Sequence, residues 1–235
     1  MDHVIIDSRT KNKVRSTLLS LGFSLIELPV WDRLQAPVSA HPDMLLFISG
    51  KKILTHADYY RLASDAFKEM KELGYEIITS KEDISCDYPH DILFNALDIG
   101  GNIFCKKAYI SSLISEHAKS LGKEMINVKQ GYAKCSVARL NEKAAITADI
   151  SLYKAMTAQG VDTLLISEGS IELDGYNYGF IGGCTGICGN TLYFSGSLDK
   201  HPDASIIKDF CQRHKISPVS LSDEALYDGG GLIFI

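Results

Sequence analysis

The chain has 235 residues, is 46% hydrophobic and 23% charged, and carries a net charge of −5. Those figures exclude a disordered chain, and the lack of any basic block or stripe argues against a nucleic-acid-binding protein. The start, "MDHVIIDSRTKNK", has too short an apolar stretch for a signal peptide, and no apolar run approaches membrane-spanning length, so a cytoplasmic protein with no membrane contact is expected.

In chain order, the first apolar segments are "HVIID", a strand, then a helix from about Ser8 to Leu21, then "SLIELP", a second strand. From His41 two strands, "HPDMLLFIS" and "KKILTH", precede the helical pattern "ADYYRLASDAFKEMKEL" and the strand-like "YEIITS". "HDILFNAL" and "NIFC" precede "AYISSLISEHAKSL" and "KEMINV". "AKCSVARL" and "KAAIT" lead to a helix and "VDTLLI". "NYGFIGGC" and "TLYFSG" lead to a helix and "ISPVSL". Gly22, Gly74, Gly122 and Gly160 each fall between helix and strand, where a left-handed cap belongs, while the fifth unit has Lys215 there.

The unit is strand, strand, helix, strand, recurring about every 47 residues, as in radial or stacked architectures. The expected fold is α/β: a single domain over 1–235, a five-bladed α/β-propeller. Its units cover approximately 1–30 plus 228–235, 38–80, 88–128, 131–168 and 176–222. The first unit lacks its first strand. The final "GLIFI" is expected to pair beside "HVIID" and close the ring, removing two exposed edges.

The six cysteines (86, 105, 135, 184, 188 and 211) include no paired CxxC motifs, so neither a structural metal site nor a disulfide framework is expected, and no cofactor is indicated. Two groups of residues remain as candidates for chemistry. Asp43 in "HPD" and Asp91 in "PHD" each precede an apolar strand and adjoin His41 and His90; two carboxylates at one channel mouth suit a cation or acid/base work, or cap turns. The glycine-rich "FIGGCTGICGN" holds Gly182, Gly183 and Cys184, with Cys188 expected on the same strand face and Cys135 one repeat upstream. Amides exposed by those glycines would lower the pKa of the Cys184 thiol; the alternative is small thiols packed in a core. Asp98 and Asp228, each ahead of glycines, are either turn residues or channel carboxylates.

The repeat pattern, together with "HPDMLLFIS" at His41, "LDIGGNIFC" at Leu97 and "SPVSLSDEALYDGG" at Ser217, resembles the pentein fold of guanidine-modifying enzymes, and most of all the dimethylarginine dimethylaminohydrolases. These stretches are similar to that family's Pro-Asp-x-x-Phe-x-x-Asp, Leu-Asp-Gly-Gly-Asp and Pro-Val-Ser-x-Ser motifs. The resemblance implies a pocket in the central channel. It also implies departures: Ile233 and Phe234 stand where the nucleophilic cysteine belongs, Tyr132 replaces the general-acid histidine, and Ser49 replaces one substrate carboxylate.

The resulting expectation is a diverged protein that binds a small polar ligand, guanidino- or amino-acid-like, through Asp43, Asp98 and their neighbours Asp91, Gly182, Gly183 and Asp228. One alternative is a hydrolase or transferase acting on C–N bonds with Cys184 or Cys135 as nucleophile and His41 or His90 as acid/base. Another is a non-catalytic interaction module, with the protein partner left undefined.

Overall fold

In the computed structural model, which describes residues 2–235, the last strand lies against the first. Within β1 (His3–Asp7) and β15 (Ile233–Phe234), Val4 faces Phe234 and Ile5 faces Ile233 in antiparallel register. β1 also pairs in parallel with β2 (Ser24–Leu28), after the crossover helix α1 (Asn12–Ser20). This sheet, β15-β1-β2, sets the pattern for the other four.

The second unit comprises α2 (Pro42–Leu45), β3 (Phe47–Ser49), β4 (Lys52–His56), α3 (Ala57–Leu62), α4 (Ser64–Glu72) and β5 (Glu76–Ser80). The third has β6 (Leu97–Ile99), β7 (Asn102–Cys105), α5 (Ser112–Ser120) and β8 (Glu124–Asn127). The fourth has β9 (Val137–Asn141), β10 (Ala144–Thr147), α6 (Ile150–Ala158) and β11 (Asp162–Leu165). The fifth has β12 (Thr185–Cys188), β13 (Thr191–Phe194), α7 (Ala204–Arg213) and β14 (Ser217–Ser220). Each middle strand pairs antiparallel with the strand before it and parallel with the strand after its helix.

The helices cover one side of each sheet. Val4 and Ile6 of β1 meet Val14 and Leu18 of α1, and all four are buried. Leu152 and Met156 of α6 are buried with Phe104 and Val137. Each such side chain contributes about 1.5–3 kcal/mol through apolar burial. The first strands β15, β3, β6, β9 and β12 stand inside. β12 packs so closely on the closing segment that a Cβ on Gly186 would lie 2.0 Å from the Leu232 carbonyl oxygen.

Four helices end on glycines with left-handed backbone: Gly22, Gly74, Gly122 and Gly160, φ between 65° and 90°. Lys215 takes the same conformation after α7, with φ 58°. Tertiary pairing of β14 holds it there against its steric cost.

The first strands are shorter than expected. "HPDMLL" is a single helical turn, because Pro42 supplies a preset φ at N1, and only Phe47–Ser49 joins the ladder. "HDILFNA", "AKCS" and "FIGGC" likewise form turns ahead of their strands. This places the candidate residues in lead-in segments rather than on strands.

Candidate functional site

The five lead-in segments meet at the centre through hydrogen bonds that link every unit. Asp43 N donates to the Gly230 carbonyl (3.1 Å), and Gly229 N and Gly231 N donate to the Gly183 carbonyl (2.9 and 2.7 Å). Gly183 N donates to the Cys135 carbonyl (3.1 Å). Lys134 N donates to Asn95 Oδ1 (2.8 Å), and Asn95 Nδ2 donates to the Asp43 carbonyl (3.1 Å) and lies 2.8 Å from Cys135 Sγ. Asn95, fully buried, closes this circuit. Sequence reasoning missed it; its one signal was its place two residues before a first strand, matching Cys135.

The carboxylates are packed into this frame. Asp228 Oδ2 accepts from Phe180 N (2.8 Å) and Oδ1 from Gly230 N (3.0 Å). A Cβ on Gly183 would lie 2.0 Å from Asp228 Oδ1, so only glycine admits that carboxylate. His41 Nδ1 is 3.8 Å from Asp228 Oδ1 and Nε2 is 3.9 Å from Asp7 Oδ2. Asp7 in turn accepts from Arg9 through Nε at 3.0 Å and NH2 at 2.7 Å. Asp43 is completely buried, and no N–H or O–H group donates to its carboxylate oxygens; the Cys135 thiol is directed at it and Lys134 supplies an opposing charge.

Burial dominates the electrostatics. It pushes the Asp43 carboxyl up, and Asp228 up to about 6, helped by the charge of Asp43 and opposed by His41. It pushes the His41 imidazole down, against the pull of Asp228 and Asp7. The Cys135 thiol is pushed well up by burial and by the charges of Asp43 and Asp228.

A cavity of about 230 Å³ opens onto this group. His41, Met44, Cys135 and Asp228 line its inner part, and Tyr132, Tyr176, Tyr178 and Phe180 its walls. Tyr132 donates to Asp91 Oδ2 at 2.7 Å, while Asp91 Oδ1 has no partner. A deep acidic end beneath aromatic walls suits a small organic cation. Among the described residues no group of three His, Cys, Asp or Glu side chains is placed to hold a metal ion.

Several expectations need correction. Cys184 is fully buried, its Sγ donates to the Ile181 carbonyl at 3.3 Å, and burial and Asp228 push its thiol up rather than down. Cys188, in β12, is only half-buried and sits 3.7 Å from Asp2, so the two thiols do not share a face; the turn at 181–184 breaks the strand period. Gly182 and Gly183 present no free amide cradle: Gly183 N is bonded to Cys135, and a Cβ on Gly182 would meet three carbonyl oxygens at 2.5 Å. His90 is exposed and packs edge-on to Tyr109, because adjacent residues of this turn point opposite ways and Asp91 takes the inward one. Asp98 faces a different, wider cavity of about 390 Å³, where it accepts from Ser49 Oγ at 2.7 Å and pairs with Lys123.

The fold is the α/β pentein architecture seen in guanidino-group-modifying enzymes. Three solved structures carry that likeness, one of fold. A mutant DDAH from Pseudomonas aeruginosa complexed with citrulline aligns at TM-score 0.57 with 10% identity, over 94% of this chain and 91% of that one. The N-terminal domain of ArgZ, a cyanobacterial arginine dihydrolase, in mutant form bound to substrate, aligns at 0.58 with 9% identity, over 99% and 95%. SxtG, an amidinotransferase from Microseira wollei, aligns at 0.58 with 11% identity, over 93% and 77%. No curated protein matches the sequence. The chain belongs to the Family of unknown function (DUF6873), whose model matches residues 5–233.

Proposed function

We propose that this protein binds a small organic cation, guanidino- or amino-acid-like, in the narrow cavity and does not run the hydrolysis of its fold relatives. The observation that carries this reading is the pair of buried carboxyls: Asp228 lines an aromatic-walled cavity, and Asp43, fully buried with no N–H or O–H donor, lies near it. Two buried carboxyls held close together raise each other's electrostatic cost, and a cationic ligand beside them offsets part of it. Asp228 is the carboxylate that lines the cavity and meets the ligand; Asp43 strengthens the field behind it. The relatives in structure act on or hold arginine-like molecules, which supports the ligand class.

The test is thermal unfolding against arginine, citrulline, guanidines and amines. A ligand at 100 times its Kd adds about 2.7 kcal/mol, or roughly 5–11 °C for a chain of this size. A shift with cationic compounds that disappears in Asp228→Asn is expected. A flat panel, or an undiminished shift in that variant, overturns the reading.

One observation favours a catalytic alternative. Cys135 lines the cavity, and its sulfur faces the Asn95 amide, a donor suited to a thiolate. The surrounding carboxylates act in the opposite direction and favour the protonated thiol.

A further inference from the structure

Lys134 and Cys135 are consecutive, yet they face different cavities: Cys135 lines the narrow one and Lys134 the wide one. The wide cavity lies at the other end of the inner strands, beyond Ser49, Asp98 and Arg139, whereas the narrow one lies at their lead-in turns. The circuit of hydrogen bonds through Asn95, Cys135 and Gly183 separates the two.

The charges of the wide cavity are unevenly committed. Asp98 accepts from Ser49 and pairs with Lys123. Glu142 accepts from Gly100 N at 3.1 Å and from Arg139 NH1 at 3.1 Å. Arg139 also donates NH1 to the Asp98 carbonyl at 3.1 Å, which leaves its NH2 and Nε uncommitted. The Lys134 ammonium makes no hydrogen bond or salt bridge. Burial and Arg139 push its pKa down, opposed by Asp43 across the partition. The rest of the rim is apolar, with Ile48, Ile187, Ile233 and Ile235 all half-buried.

We propose that the wide cavity is a second ligand site, for a monocarboxylate bearing an aliphatic group, held by Lys134 and the free edge of Arg139. A carboxylate matches the planar fork of a guanidinium and needs one counter-charge. A doubly charged phosphate fits less well, because Asp98 and Glu142 already stand in the wall. The isoleucine rim accepts the aliphatic part by apolar burial.

Titration calorimetry with hexanoate on the full chain tests this. Saturable binding of hexanoate is expected, with weak or no binding of inorganic phosphate. Lys134→Met and Arg139→Met should each weaken hexanoate by about tenfold or more. Arg139 is half-exposed, so its variant keeps the test valid should Lys134→Met fail to fold. Asp228→Asn should leave hexanoate affinity unchanged, which separates this site from the cation site. Absence of saturable hexanoate binding at millimolar concentration, tighter binding of phosphate, or wild-type affinity in Arg139→Met overturns the proposal.

Discussion

His41 Nδ1 stands 3.8 Å from Asp228 Oδ1, with both side chains buried and the other ring nitrogen turned toward Asp7. An imidazole between two carboxylates would ordinarily be charged. Here burial outweighs them and pushes its pKa down, so the cavity end is net acidic at neutral pH. That is the electrostatic basis for a cationic ligand.

The pH dependence follows with a defined sign. Asp228 rises from 3.8 unfolded to about 6 folded, so the folded state holds the proton more tightly. Its stabilising contribution is therefore lost as pH rises through about 6 and gained as pH falls toward 3.8. His41, pushed below 6.5, acts oppositely in acid. Comparing wild type with Asp228→Asn isolates the first effect: the stability difference should move in favour of wild type as pH falls below about 6. Urea melts between pH 7 and pH 4.5 measure it. A cationic ligand should weaken over the same interval, since it needs the ionised carboxylate.

Asp43→Leu should stabilise the ligand-free protein by about 1 kcal/mol, because it removes a buried carboxyl that no N–H or O–H donor reaches, only the Cys135 thiol, and keeps its shape. Cation binding should fall with it. Equal or lower stability would mean that Asp43 already has compensation inside the fold.

Gly183→Ala should cost about 1–3 kcal/mol and displace Asp228, since the new methyl would lie 2.0 Å from Oδ1. Loss of the thermal shift with cations, alongside a lowered midpoint, is the expected pair of results.

Lys215→Gly should stabilise by about 0.5–1 kcal/mol, because Lys215 holds φ 58° where four equivalent positions carry glycine. The gain should appear as a midpoint rise of roughly 1–4 °C, with no change in ligand binding.

Iodoacetamide should label Cys86 first, because it alone among the cysteines is exposed. Cys135 and Cys184 should react slowly at neutral pH, both thiols being pushed well above 9.0. Rapid labelling confined to Cys135, slowing as pH falls, would instead establish the catalytic alternative.

Much of the fold was legible. Glycines at helix ends and the alternation of strand and helix marked five units, and the unpaired "HVIID" needed the "GLIFI" that meets it in the structure. The lead-in turns were not legible, because apolar runs such as "HPDMLLFIS" satisfy a strand pattern equally well. Of the candidate residues, Asp228, His41 and Cys135 line one cavity with Asp43 buried near Asp228, while Asp98 and His90 lie elsewhere.

Repetition and composition by themselves determined an acidic α/β ring of five units closed by its own last strand, because periodic apolar patterns are local and survive in one dimension. Only the tertiary structure decided which carboxyls are buried, which thiols are sealed and which cavity each side chain faces. Those properties depend on burial and on contacts between residues far apart in the chain: Asp43 with Gly230, Cys135 with Gly183 and Asn95 with Lys134.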